Sequence, residues 1–237
     1  MYSVDPIATI RSCYTERFGI PRQAGLVTSA EAQIVFRKNT YNELSLRGLE
    51  EFSHIWVIFI FHKHHYNKPK PLVQPPRLGG KTNIGVYATR SPNRINSLGL
   101  SCVELSGIST TDHEIQVQIH GGDFLDGTPV VDIKPYIAFA DAIDNSRCGW
   151  AEPLNTTMPV QWLDSAQQAL QQYCDAQQLD FNTITRVIDD TLAHDPRPAY
   201  ERNKDGKPDQ LWHMRIFEID ISFSVTNGVA LIVNCRQ

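Results

Sequence analysis

The hydrophobic pattern divides the chain near Trp150. Before it, short apolar runs alternate with Gly/Pro punctuation. Ala32–Phe36, Ile55–Phe61, Asn83–Tyr87, Ser101–Leu105 and Glu114–His120 have strand length. In the last of these, Ile115, Val117 and Ile119 alternate with Gln116, Gln118 and His120, the period of a half-buried strand. Ile55–Phe61 is apolar throughout, which predicts a central strand covered on both faces. Turn signals recur at Gly79-Gly80, Asp112-His113, Gly121-Gly122 and Asp126-Gly127, and Tyr41–Leu49 reads as a short helix. Many short strands with such turns predict a closed or nearly closed β-barrel. After Trp150, Met158–Leu163 reads as a strand. Asp164–Leu179 carries apolar residues at 166, 169, 170, 173 and 176, a helical spacing that Asp164 can cap. Asp180 or Asn182 can cap a second helix over Thr183–Ala193. Leu211–Val225 and Val229–Cys235 form a hairpin around Asn227-Gly228. The expected architecture is mainly β with an α+β appendage, divided into residues 1–150 and 151–237.

Composition adds limits. The chain has 237 residues, 41% of them hydrophobic and 20% charged, which is globular and not disordered. No apolar run approaches the ~18 residues of a membrane span, and MYSVDPIATI lacks the basic and apolar regions of a secretion signal. Five cysteines (13, 102, 148, 174, 235), odd in number and without a C-x-x-C, argue against a disulfide framework or zinc ribbon and for a reducing cytosol. The net charge of −4 hides an asymmetry. Between Phe52 and Val103 there is no Asp or Glu, but there are seven Lys/Arg and four of the eight histidines, which leaves −11 on the remainder. Such a basic face fits phosphate or another anion.

The motifs exclude several chemistries. His62-Lys63-His64-His65 has no nearby acid or thiol to complete a metal set, so no metal is expected. No G-x-G-x-x-G, P-loop or G-x-S-x-G pattern is present. Three stretches are instead dense in planar hydrogen-bonding groups: 19–24 (GIPRQA), 75–101 from PPRLGG through ATRSPNR, and 125–136 (LDGTPVVDIKPY). Three such loops in one small β domain imply loops converging on a site.

Together with GLEEFSHIWVIFIFH at 48–62, these stretches closely resemble the TsaA-like family, over about residues 5–145. DPRPAY at 195–200 resembles the C-terminal part of its longer, TrmO-type bacterial members. The resemblance implies a β-barrel methyltransferase, neither Rossmann nor knotted, that uses S-adenosylmethionine. It implies N6 methylation of N6-threonylcarbamoyladenosine in the anticodon loop of threonine tRNA, by a homodimer. Carried over by motif, the cofactor residues are Pro21, Arg22, Gln23, His62, Lys63, Arg90, Leu100, Leu125, Asp126, Gly127 and Thr128. The cofactor carboxylate suits Arg or Lys, its ribose diol suits Asp126, and Leu100 and Leu125 supply apolar walls. Arg94, Asn96 and Lys134 are candidate substrate contacts, with Arg94 or Lys134 pairing with the threonyl carboxylate. Asp132, Tyr136 and Asp141 are candidate proton acceptors, with water as the alternative. The chain departs from the family at Ile95-Asn96-Ser97, where prolines usually flank the asparagine. Tyr66 and Tyr87 are possible stacking partners for RNA bases. Two other readings are a non-catalytic RNA-binding barrel and a methyltransferase acting on a small molecule.

Overall fold

The computed structural model describes residues 3–63, 69–151, 157–198, 201, 206 and 210–237. His64, His65, Tyr66, Lys68 and the end of DPRPAY, Ala199 and Tyr200, lie outside the described residues. The first half contains β1 (Ala8–Ser12), β2 (Glu31–Arg37), α1 (Thr40–Ser45), β3 (His54–Ile60), β4 (Leu72–Val73), β5 (Ile84–Gly85), β6 (Leu98–Thr110), β7 (Glu114–His120), β8 (Pro129–Pro135) and α2 (Ala138–Asp141). Six strands pair in the order β1-β2-β7-β6-β3-β8, and β8 returns to β1 as a closed barrel. Strand β6 serves two neighbours, β3 over Leu98–Glu104 and β7 from Glu104 onward, with a register shift between Leu105 and Gly107 that bends it. The closing β1–β8 pairing is the shortest of the ring, Ala8 on Val130 and Thr9 on Pro129.

Alternate residues fill the interior, as the period-2 pattern requires. Ile10, Ile34, Ile55, Val57, Val117, Ile119 and Val130 are essentially unexposed. The apolar run on β3 has a different cause from the one its composition suggests. Ile55, Val57 and Phe59 face the core, while Trp56 and Ile58 point outward and line an open cleft rather than a second layer. Asn83–Tyr87 yields only the two residues of β5 before a 3-10 turn over Val86–Ala88, because β5 has a single two-residue partner, β4.

The second half contains β9 (Val160–Trp162), α3 (Asp164–Gln177), α4 (Phe181–Ala193), β10 (Trp212–Ile216), β11 (Ile219–Thr226) and β12 (Val229–Arg236). Its sheet runs β10-β11-β12-β9, with β9 parallel to β12. Asp180 caps α4 through Thr183 N at 2.6 Å. Asp164, by contrast, is the first helical residue of α3, and Leu163 occupies the cap position. The stretch 211–225 is broken into β10 and β11 by Phe217, which adopts φ 55°. A second apolar core lies between this sheet and the helices. It also takes Cys13, Tyr14, Val27 and Ala30 from the segment joining β1 to β2. That segment is therefore held from two sides: Tyr14 Oη lies 3.3 Å from Thr191 Oγ1, Phe217 N donates to Cys13 O at 2.6 Å, and Phe18 stacks on Trp212.

Candidate active site

The joining segment includes the loop Ile20–Gln23, which forms one wall of a cleft of about 650 Å³, within the usual range for small-molecule sites. A second wall is the outward face of the barrel: Trp56 and Ile58 from β3, Leu98 and Leu100 from β6. The floor is Phe59, Gly99, Ser101, Asp123, Leu125 and Thr128 at the barrel end. Thr89, Arg90, Pro92 and Arg94, together with His62 and Lys63, complete the polar part of the lining.

Nine of the eleven residues expected at a cofactor line this cleft: Pro21, Arg22, Gln23, His62, Lys63, Arg90, Leu100, Leu125 and Thr128. The other two, Asp126 and Gly127, form the turn behind it. Asp126 Oδ1 accepts from Ser12 N at 3.0 Å, and Gly127 N donates to Ile10 O at 2.9 Å with φ 74°, a region that favours glycine. Arg90 Nη1 donates to Gln23 Oε1 at 2.6 Å, so two motifs far apart in sequence are clasped across the cleft. Arg22 Nη2 donates to Arg197 O at 2.7 Å, and Arg197 is buried and paired with Asp195 at 2.8 Å. The DPRP segment thus reaches the cofactor-motif loop from behind. Burial, with Lys63 next to it, pushes the His62 imidazole below its ordinary value, partly offset by Asp126.

The expected substrate and proton-transfer residues are placed differently. Arg94 lines the cleft, its Nη1 donating to Thr89 O at 3.0 Å and its guanidinium 5.9 Å from the Tyr87 ring. Asn96 and Lys134 are exposed and outside the lining. The β3–β8 register sets Lys134 beside Trp56 and Asp132 beside Ile58, and the two charges pair with each other at 3.1 Å. Asp141 accepts from Trp56 Nε1 at 3.1 Å and from Ile137 N at 2.8 Å, and Tyr136 packs on the Trp56 ring. Asp132, Tyr136 and Asp141 therefore stand outside the lining, where Tyr136 and Asp141 brace its Trp56 wall. Among the described residues no group of three His, Cys, Asp or Glu could hold a metal, and no helix is long and apolar enough to cross a membrane.

Sequence reasoning passed over Arg17, Trp56, Ser101 and Asp123, all in the lining. Asp123 follows the Gly121-Gly122 turn and reads as turn chemistry; only the tertiary fold aims it at the cleft. Burial holds its carboxyl above the usual aspartate range, opposed by the Ser101 hydroxyl, which donates to Oδ1 at 2.6 Å, and by Arg90. The native state then retains this proton at pH values where the unfolded chain has lost it. Wild-type stability should therefore fall as pH rises from the ordinary value of about 3.9 through the raised one. Asp123→Asn removes that decline. In thermal melts of the ligand-free protein, its melting temperature relative to wild type should improve from pH 4 to pH 7; an unchanged difference would refute the assigned protonation.

Residues 9–142 match the tRNA-methyltransferase O N-terminal domain and residues 155–237 the TrmO C-terminal domain. A tRNA (adenine(37)-N6)-methyltransferase of Escherichia coli is 36% identical over 96% of this chain and 94% of its own length. A Pseudomonas aeruginosa protein named as an S-adenosylmethionine-dependent methyltransferase is 38% identical over 93% of this chain and 91% of its own. The crystal structure of TrmO from P. aeruginosa superposes with a TM-score of 0.79 at 28% identity, covering 100% of this chain and 99% of that one. With both halves matched in order and the motif loops gathered at one cleft, the chain belongs to the TrmO family.

Proposed function

We propose that this protein methylates N6 of N6-threonylcarbamoyladenosine in the anticodon loop of threonine tRNA, with S-adenosylmethionine as methyl donor. The observation that carries this reading is that one cleft brings Pro21–Gln23, His62-Lys63, Arg90, Leu100 and Leu125 together. The lining fits the cofactor: arginines for its carboxylate, Leu100 and Leu125 as apolar walls, and a carboxyl group in an otherwise cationic site. When bound, the cofactor supplies a methyl group on a sulfonium that leaves as a neutral thioether. The protein's task is mainly alignment, which the Arg90–Gln23 clasp and the Asp141-braced Trp56 wall serve. With Asp132, Tyr136 and Asp141 outside the lining, the N6 proton leaves to solvent water in this reading.

The acid-free segment holds the stem-loop phosphates, and Tyr87, 73% exposed beside Arg94, offers a platform for a loop base. Functionally the chain divides into a catalytic part, residues 1–150, and a C-terminal part, 151–237, which supports the Pro21–Gln23 loop. It works in the cytosol as a homodimer, for which the exposed Phe139 and Ile143 after β8 are available contact residues.

Selectivity for the modified base rests on its threonyl carboxylate, which adenosine lacks. Arg94→Ala should lower activity on modified tRNA roughly 10–100-fold, the worth of one charge-assisted contact, and narrow the preference over unmodified tRNA. Lys134→Ala should act less, because Lys134 is exposed and already paired with Asp132. If neither variant changes the preference, the carboxylate is read elsewhere. The decisive test of substrate is mass spectrometry of tRNA nucleosides from cells with and without the gene. Loss of the methylated threonylcarbamoyladenosine is expected; an unchanged profile overturns the proposal.

A further inference from the structure

The cleft is lined by five cationic side chains, Arg17, Arg22, Lys63, Arg90 and Arg94, and among the described residues by one acid, Asp123. A partly buried carboxylate needs donors or a countercharge. Ser101 Oγ supplies one donor at 2.6 Å, from a side chain that itself faces the cleft. Arg90, the cation acting on Asp123, donates instead to Gln23, and no salt bridge to Asp123 occurs among the described residues. The carboxyl group is thus held by Ser101 with help from the backbone N–H groups of Asp123 and Ala24, and it has no contacting cation among the described residues; a ligand cation would supply one and favour its ionised form.

The two reactants differ in what they bring. On threonylcarbamoyladenosine the amino-acid nitrogen is part of a urea and uncharged, so the only charged group the base offers is a carboxylate, and its N–H and hydroxyl donors are neutral. S-adenosylmethionine offers a carboxylate, a sulfonium with no N–H, and an α-ammonium with three donors. Only the last both donates hydrogen bonds and carries the missing charge. We propose that Asp123, oriented by Ser101, binds the α-ammonium of the cofactor's amino-acid end, while the cleft arginines take its carboxylate. This rests on the cofactor reading above and assigns Asp123 to binding rather than to proton abstraction.

The test is calorimetric titration of the full chain with S-adenosylhomocysteine and with its deaminated analogue, which lacks only the amino group. Both are uncharged at sulfur, so the sulfonium does not enter. Wild type should bind the analogue roughly 10–100-fold more weakly. Asp123→Asn should lose a similar factor for S-adenosylhomocysteine and bind both compounds alike. Ser101→Ala, which leaves the carboxylate but removes its orienting donor, should lose a smaller factor; its thermal melt, with that of Asp123→Asn, reports that the fold is intact. If Asp123→Asn keeps the discrimination between the two compounds, or if wild type shows none, the assignment is wrong. Unchanged affinity with loss of turnover would instead make Asp123 the proton acceptor. If wild type binds neither compound nor S-adenosylmethionine, the cofactor reading itself fails.

Discussion

Replacing Phe59 with alanine should lower folding stability by about 3–5 kcal/mol, measured as a shift of the denaturant midpoint, and should weaken cofactor binding as well. Phe59 is 3% exposed, and its ring meets both Phe61 and Phe124 at 5.0 Å in edge-to-face contacts. On the neighbouring strand β6 its registered partner is Gly99, where an added Cβ would collide with the Phe59 ring. The ring therefore fills the space a side chain on β6 would occupy. Truncation leaves a void facing a residue with no side chain to move into it, the condition under which cavity costs are largest. Because Phe59 and Gly99 both line the cleft, the void opens into it. The reciprocal change, Gly99→Ala, overpacks the same spot by about 1–3 kcal/mol. A Phe59→Ala midpoint within 1 kcal/mol of wild type would show that this floor does not carry the core.

Arg197→Ala is the second large effect. Its guanidinium, 4% exposed, bonds Asp195 through Nε and Nη2 at 2.8 and 2.9 Å. Removing it should destabilise by about 3 kcal/mol, the low end for breaking a buried ion pair, because Asp195 keeps 19% of its side-chain surface in water. The more informative readout is distant from the substitution. The Arg197 carbonyl accepts from Arg22, so loosening its turn frees one side of the Pro21–Gln23 loop. Affinity for S-adenosylhomocysteine should fall severalfold, although Arg197 is not in the cleft lining. Equal losses of stability with unchanged affinity would show that the turn is only a fold element.

The strands of strict period 2 were legible, since Ile115, Val117 and Ile119 on β7 and Ile34 and Phe36 on β2 each need one buried face. β1 was not, because ATIRS is too short and too polar to stand out before its partners are known. The break between β10 and β11 escaped notice because it falls at Phe217, a residue with no turn signature. The motif residues could be named one by one by resemblance, but not the support beneath them. That Cys13, Tyr14, Val27 and Ala30 belong to the core of the other half is a tertiary fact with no local pattern. Asp126 shows the limit of residue chemistry. A carboxylate in a motif suggests a ligand, yet one of its oxygens is taken by Ser12 N.

The short closure of the barrel has a consequence for motion. The Leu125–Thr128 turn is the stitch at the end of that seam: Asp126 N bonds Tyr14 O, Gly127 N bonds Ile10 O, and Ile10 N bonds Thr128 O. Openings of lowest free energy start where the fewest pairs must separate. A ligand in the cleft, where Leu125 and Thr128 are part of the lining, would act as a rivet on the shortest join of the ring. Occupancy of the cleft would then be written into the amide exchange of β1, a strand that contributes no residue to the lining.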